Sequence, residues 1–193
     1  MAKAFLIVPH QDDEVNLAGN IIDVIKEKYE IVVIYTSLDA RPKNAQIRRR
    51  EAYEACAVLG IDRDHVVFLE YPDSSNEAGH HFFMDEKDGV VQSVKDLILD
   101  QRPDEIFATD FDFHSDHRMC SLAFETAMGE ILRETDDYFP LVLKGFCYET
   151  AYYGPEDYCA SCPGKLQLLL RWHRILRGNG KSAFRSPAEK TGD

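Results

Sequence analysis

Short apolar runs alternate along the chain with longer stretches in which apolar residues recur every three to four positions. The runs predict β-strands at 4–8, 31–36, 66–70, 105–109 and 141–148. The helical spacing predicts helices at 15–28, 45–60, 89–101, 117–133 and 165–177. Because strands alternate with helices, the pattern predicts an α/β fold with a mostly parallel sheet covered by helices on both faces. Gly60, at the end of the second helix, is expected to form a left-handed cap.

The loop after the first strand contains an imidazole and adjacent carboxylates in the sequence Pro9–Glu14 (PHQDDE). Open α/β folds place their chemistry at the carboxyl ends of the strands, where this loop begins. A His and an Asp in one tight turn can hold a zinc ion, and a second carboxylate beside them could accept a proton from water. A structural alternative stays open, since an Asp-Asp pair before an apolar periodic segment is also typical of a helix N-cap.

A second cluster of this kind follows the strand predicted at 105–109, in residues 110–117 (DFDFHSDH). Parallel strands end at the same edge of a sheet, so we expect strands 4–8 and 105–109 to be neighbours and their loops to converge. The imidazoles of His10 and His117 should then lie within ~10 Å of each other, close enough to share one metal ion. Three ligands drawn from His10, Asp13 and His117 would leave a fourth position open, as in catalytic zinc sites.

These motifs resemble those of the PIG-L/LmbE-like zinc-dependent deacetylases, which remove acetyl groups from N-acetylglucosamine-type substrates. The family's Pro/Ala-His-Pro-Asp-Asp-Glu motif is similar to residues 9–14, and its His-Pro-Asp-His motif to residues 114–117. A weaker signature, Arg-x-x-Glu followed by Ala and Leu-Gly, matches Arg48, Glu51, Ala55, Leu59 and Gly60. The resemblance covers roughly residues 3 to 125. Gln11 and Ser115 replace the usual prolines, so the two loops are expected to be less rigid.

The resemblance implies a Rossmann-like three-layer α/β/α sandwich and one Zn²⁺ per chain, although other divalent transition metals also accept these ligands. It also implies three groups of site residues: the metal ligands His10, Asp13 and His117; the catalytic residues Asp12, His114 and Asp116; and the substrate-binding residue Arg48. In that scheme Asp12 takes a proton from the attacking water, and protonated His114 stabilises the oxyanion while Asp116 holds its ring.

Each of these roles has a structural alternative. Asp12 could be a helix N-cap, His114 a surface loop residue, and Asp116 an ion-pair partner of Arg118. Arg48 could belong to an exposed, solvated Arg cluster. Two other functions also stay open: a zinc amidase that acts on a different amide such as a thiol conjugate, and a non-catalytic binding protein with the same fold.

Length and charge limit the classes of partner. The 193 residues predict a single domain over 1–177, with a C-terminal region shorter than is usual for the family and a disordered tail at 178–193. No apolar stretch reaches ~18 residues, and no signal segment precedes the first strand, so we expect a cytoplasmic protein. The formal charge of −12 disfavours nucleic acid as a partner. The resemblance to the deacetylases implies a small amino-sugar conjugate as the partner.

Three further features are ambiguous. From Lys165 onward there are seven basic and two acidic residues, and the helix at 165–177 would either pack on the acidic body or bind a membrane surface or partner. The loop from Tyr71 to Asp88 could be a substrate lid or simply mobile. Cys56 and Cys120 are expected to be packing residues. The CxxC pair, Cys159 and Cys162, could form a structural zinc site together with Cys147 or His173.

Overall fold

The computed structural model describes residues 1–74, 86–112 and 114–147. These residues form five strands: β1 (Ala2–Val8), β2 (Tyr29–Leu38), β3 (Val66–Pro72), β4 (Glu105–Thr109) and β5 (Leu141–Gly145). In the same described ranges there are four α-helices: α1 (Asp13–Ile25), α2 (Pro42–Val58), α3 (Lys87–Gln101) and α4 (Ser115–Glu134). A short 3-10 turn at Arg63–His65 leads into β3.

The five strands form one sheet in the order β3-β2-β1-β4-β5, and every neighbouring pair is parallel. β1 pairs with β4 from Ala4↔Glu105 to Ile7↔Ala108, which confirms the predicted neighbours. β2, the next strand in the chain, lies on one side of β1 in the sheet, and β4 lies on the other side. This reversal of strand order opens a crevice at the carboxyl ends of β1 and β4, where open α/β sheets bind ligands.

Alternate residues of the central strand supply both halves of the core. Phe5 and Ile7 pack in the cluster formed with α3 and α4, whereas Leu6 and Val8 pack in the cluster formed with α1 and α2. Residues 4–8 are at most 1% exposed, so β1 is buried on both faces, as a central parallel strand should be. Each large apolar side chain buried in this way contributes about 1.5–3 kcal/mol. The three-layer α/β/α arrangement is therefore confirmed, and its central strand β1 leads directly into the loop at residues 9–14.

Helix boundaries differ from the sequence prediction mainly at the N-termini. α1 begins at Asp13 rather than 15 and α4 at Ser115 rather than 117, because polar residues occupy the first turns and hide the apolar spacing. α2 begins at Pro42, since proline is well suited to the first helical position. Gly60 has φ +83° and follows α2, while the Ile61 N–H donates to Cys56 O at 2.9 Å. The predicted left-handed cap is thus confirmed.

Several predicted features lie outside the described residues. They are the helix at 165–177, the domain boundary at 177, the tail at 178–193, the CxxC pair, His173 and most of the loop from 71 to 88. The strand predicted at 141–148 ends at Gly145. Among the described helices, none is both long and apolar enough to cross a membrane.

Candidate active site

The loop between β1 and α1 is anchored to the neighbouring strand β2. Gln11 is only 4% exposed, and its Nε2 donates a hydrogen bond to Ser37 O at 2.8 Å. Ser37 Oγ in turn donates to Pro9 O at 2.8 Å. The expectation that Gln11 would leave this loop less rigid is corrected, because a buried amide attaches the loop where the related motif has a proline.

The loop between β4 and α4 brings two imidazoles to the start of α4. His114 is the N-cap residue, and its Nδ1 accepts a hydrogen bond from the Asp116 N–H at 3.3 Å. His117 follows within the first turn and is fully buried. The ring centroids of His114 and His117 are 4.8 Å apart. Ser115, the second residue that replaces a proline of the related motifs, is the first residue of α4. Regular helical backbone geometry therefore constrains this position.

The two loops converge on one carboxylate. Asp13 Oδ2 lies 3.2 Å from His10 Nδ1 and 3.3 Å from His117 Nε2. The ring centroids of His10 and His117 are 5.3 Å apart, well inside the predicted limit. The three residues predicted as metal ligands are therefore neighbours, at the crevice between the carboxyl ends of β1 and β4.

This cluster suits a divalent cation. Two imidazoles and a carboxylate are the donors expected for catalytic zinc. Asp13 is fully buried, and its Oδ1 has no hydrogen-bond partner among the described residues. A buried polar atom without a partner costs about 1–3 kcal/mol, a penalty that a metal–oxygen contact would remove. His114 also lies close, because ligand atoms of His10, His114 and His117 are within 4.8 Å of one another.

Hydrogen bonds within the cluster determine its charge in the metal-free protein. Burial alone would raise the pKa of Asp13, but His10 and His117 outweigh this effect and hold it well below its ordinary value. Burial would lower the pKa of His10, yet hydrogen bonds with Asp116 and Asp13 raise it to about 9. The pKa of His117 is also raised: burial opposes the shift, and its bonds to Asp112 and Asp13 produce it. The neighbouring carboxylates thus favour the protonated form of both imidazoles.

Asp12 occupies the N-cap position of α1, but its side chain makes no capping hydrogen bond. The carboxylate is 53% exposed and lies 3.3 Å from Arg48 Nη2. Burial, followed by the charge of Asp13, raises its pKa, while Arg48 acts in the opposite direction. The structural alternative for Asp12 is therefore disfavoured, because the carboxylate is directed to a partner across the loop and not to the helix backbone.

The carboxylate of Asp116 contacts His10 and not the ring of His114. Its Oδ2 lies 3.0 Å from His10 Nε2 and accepts hydrogen bonds from Ser74 N at 3.0 Å and Ser74 Oγ at 2.7 Å. Burial, together with the charges of His10 and His117, lowers the pKa of His114. Two expectations are corrected: the backbone of Asp116, not its carboxylate, orients His114, and in this structure His114 favours the neutral form.

A cleft of about 200 Å³ opens above this cluster. It is lined by His10, Gln11, Asp12, Asp39, Arg48, Asp73 and His114. Arg48 donates to Gln11 O and, through Nη1 at 2.9 Å, to Glu51. Arg48 is therefore part of the cleft wall, as its predicted role in substrate binding requires, but its guanidinium already holds the loop and the carboxylate of Asp12. Its predicted contact with substrate stays a prediction.

Two other features bear on the location of the site. A larger hollow of about 860 Å³ lies against α2 and is lined by residues such as Arg49, Arg50 and Arg63, but it contains none of the predicted site residues. Cys147 is buried, with Sγ 3.1 Å from Thr109 Oγ1, and its thiol is near Asp13 and His117. The smaller cleft is the candidate site, because that is where the titratable groups with shifted pKa values meet.

Sequence reasoning missed two residues that contact the predicted site residues. Asp112 Oδ2 lies 2.6 Å from His117 Nδ1, and both side chains are fully buried. Ser74, just after β3, donates two hydrogen bonds to the carboxylate of Asp116, from which it is 42 positions away in the sequence. An Asp five residues before a ligand His was a signal that could have identified Asp112. No local pattern points to Ser74.

A family model matches more than half of the chain. The model of the family PIG-L, described as GlcNAc-PI de-N-acetylase, matches residues 5–128. The chain belongs to the PIG-L family. The match extends from the middle of β1 into α4 and includes every predicted site residue of this PIG-L family member. No functionally curated protein matches the chain in sequence.

Solved structures share the fold at low sequence identity. N,N'-diacetylchitobiose deacetylase from Pyrococcus horikoshii has 22% identity and a TM-score of 0.53, covering 66% of this chain and 49% of its own. The hydratase GalB from Pseudomonas putida KT2440 has 22% identity and a TM-score of 0.57, covering 75% and 65%. A deacetylase of teicoplanin biosynthesis, in complex with teicoplanin, has 15% identity and a TM-score of 0.58, covering 74% and 69%. This PIG-L family member thus spans about half to two thirds of these proteins.

Proposed function

We propose that this PIG-L family member is a zinc-dependent hydrolase that removes the acetyl group from an N-acetylglucosamine-type sugar or glycoconjugate and releases acetate. The observation that carries the proposal is that His10 and His117 both contact the buried carboxylate of Asp13. The cleft next to this cluster exposes Asp12. Family membership supports the acetamide as the reacting group. The related deacetylases of diacetylchitobiose and of the teicoplanin pathway support a sugar conjugate as the substrate.

His10, Asp13 and His117 would hold the zinc ion, one per chain. When bound, the ion supplies a Lewis acid for the acetyl carbonyl and lowers the pKa of water to about 7. His10 lies in a loop anchored to the sheet, and Asp13 and His117 lie in the first turns of α1 and α4. Little reorganisation is therefore needed when the substrate arrives. Other divalent transition metals would fit the same donors.

Asp12 is proposed as the general base. It is adjacent to a ligand in sequence, yet its own carboxylate is half exposed at the cleft and free of the helix cap. It would accept a proton as water attacks the carbonyl carbon and return that proton to the departing amine nitrogen. Arg48, 3.3 Å away, keeps the carboxylate directed along the cleft wall.

His114 is proposed to donate a hydrogen bond to the oxyanion as it forms. Its Nδ1 accepts the Asp116 N–H, so the proton of a neutral ring lies on Nε2, the remaining nitrogen. A neutral imidazole in this tautomer still offers one N–H donor, and it costs less to bury near a metal than a cationic ring would. This role requires no positive charge on His114, which agrees with its lowered pKa.

An acetate-release screen over N-acetylated sugar conjugates, with zinc added, tests the proposal. Asp12→Asn should retain zinc but lose about 10²–10⁴-fold in turnover, the usual cost of removing a general base. Asp23→Asn, an exposed carboxylate on the same helix, should match the parent and serves as the control. Equal turnover of the Asp12→Asn and Asp23→Asn variants would refute the role of Asp12.

The screen also separates the alternatives. Zinc-loaded parent protein that releases no acetate but cleaves another amide would favour an amidase, and inertness toward every amide would favour a binding protein. GalB acts as a 4-carboxy-2-hydroxymuconate hydratase on this fold, so that reaction belongs in the panel. The cytoplasmic location stays a prediction.

A further inference from the structure

The second loop contains a buried carboxylate for which the proposed reaction has no direct use. Asp112 lies three residues after β4, and its Oδ2 is 2.6 Å from His117 Nδ1. Both side chains are fully buried, so solvent does not compete for this contact. A short, desolvated hydrogen bond between a carboxylate and an imidazole is among the stronger kinds in proteins.

The contact determines which ring nitrogen of His117 can bind a metal. His117 Nε2 is directed at Asp13 Oδ2, 3.3 Å away, while Nδ1 is directed at Asp112. A neutral imidazole carries one proton, and a carboxylate acceptor favours that proton on Nδ1. The lone pair is then on Nε2, on the side where His10 and Asp13 converge. The wrong tautomer would present an N–H to the metal and could not bind it.

The same carboxylate also fixes the backbone of the loop. Asp112 Oδ1 accepts a hydrogen bond from the His114 N–H at 2.8 Å. One side chain therefore holds the ring of His117 and the peptide of His114, the two residues through which this loop would reach the metal and the substrate. Asp116 makes the corresponding contact on the first loop, since its Oδ2 lies 3.0 Å from His10 Nε2.

We propose that Asp112 is a positioning residue that holds His117 in its metal-binding tautomer and orientation and thereby strengthens zinc binding. This inference rests on the proposed metal site. Partners of this kind that orient a ligand imidazole typically contribute 10–100-fold to metal affinity. Asp110, two residues earlier, has a different environment: its carboxylate pairs with Lys144 Nζ at 3.0 Å and contacts neither imidazole in the described contacts.

Zinc affinity, measured by competition with a chromophoric chelator, tests this role without requiring a substrate. Asp112→Ala should bind zinc about 10–100-fold more weakly than the parent, because it loses both hydrogen bonds. Asp112→Asn should fall between the two, since its amide oxygen can still accept from His117 Nδ1 but carries no charge. The matched control Asp110→Asn should bind zinc like the parent.

Long-range ¹H–¹⁵N NMR of the histidine side chains supplies a readout that loss of fold alone would not mimic. In the zinc-bound parent, His117 should be protonated at Nδ1 only, and folded Asp112→Asn should show a shifted Nδ1 signal. Equal zinc affinity of the parent and the Asp112→Ala variant, or an equal loss in Asp110→Asn, would overturn the role of Asp112. A parent that binds no zinc would overturn the metal site itself and this inference with it.

Discussion

Gln11 offers a direct test of how the loop between β1 and α1, which carries the proposed ligand His10, is held in place. The side chain is almost completely buried, and its amide donates to Ser37 O at 2.8 Å. Ser37 binds back to the loop through its hydroxyl and its N–H, which both donate to Pro9 O, at 2.8 Å and 3.1 Å. Gln11 therefore provides one of three hydrogen bonds between this loop and β2.

Truncation to alanine should be measurably destabilising. Gln11→Ala removes one hydrogen bond, worth about 0.5–1.5 kcal/mol net. It also removes a buried methylene, which contributes about 0.8 kcal/mol. We expect a loss of about 1.3–2.3 kcal/mol in the free energy of unfolding. This corresponds to roughly 3–9 °C in Tm for a chain of this length. Zinc affinity should also fall, because the loop carries His10 and leads into Asp13.

Urea denaturation of the metal-free protein, with Tm as a second measure, tests this estimate. Gln92→Ala is a matched control, since the Gln92 amide also donates a hydrogen bond, to Asp96 Oδ1 at 2.6 Å, but on the exposed face of α3. That control should stay within about 0.5 kcal/mol of the parent. If the two alanine variants prove equally stable, Gln11 does not anchor the loop and its burial is incidental.

Three further predictions concern the metal and the cleft. Elemental analysis should show that His10→Ala and His117→Ala each lose most of the zinc and that Asp12→Ala retains it; full retention in both histidine variants would exclude this ligand set. Zinc affinity should fall as pH decreases below about 9, because a proton occupies His10 in the metal-free protein, and a chelator titration that finds equal affinity at about pH 6 and about pH 8 would contradict this. His114→Ala should keep the metal and slow turnover without abolishing the alkaline limb of the pH–rate profile, since the pKa of His114 is lowered; loss of that limb would show that the ring acts as a cation.

The sheet could be predicted from the sequence because its information is local. The apolar run at residues 4–8 is a strand buried on both faces, and such strands have no polar alternation to obscure them. The helix starts were less accurate for a physical reason. α1 and α4 begin with polar residues, among them the candidate site residues Asp13 and Asp116, so the apolar spacing becomes visible only after the first turn. The prediction therefore shortened these helices at the end where the site forms.

The neighbours of the site residues were harder to predict, because they depend on contacts between distant segments. Ser74 and Asp116 are 42 positions apart, and Gln11 and Ser37 are 26 apart. Neither pair has a spacing that a strand or helix period could indicate. Only the sheet order, which places β2 beside β1 and the end of β3 near the site, brings these side chains together.

The position of Asp116 shows why adjacency in sequence misled the assignment of its role. Asp116 follows His114 by two residues, which suggested that its carboxylate would hold that ring. In the structure the N-cap geometry uses the Asp116 N–H for His114, and the helix directs the carboxylate toward His10. With Asp112 on His117, each imidazole predicted to bind the metal is held by a carboxylate through the nitrogen that does not face Asp13. Both rings are thus oriented by carboxylates from the second loop and the first turn of α4. A change in either segment should therefore weaken metal binding even where it alters no ligand.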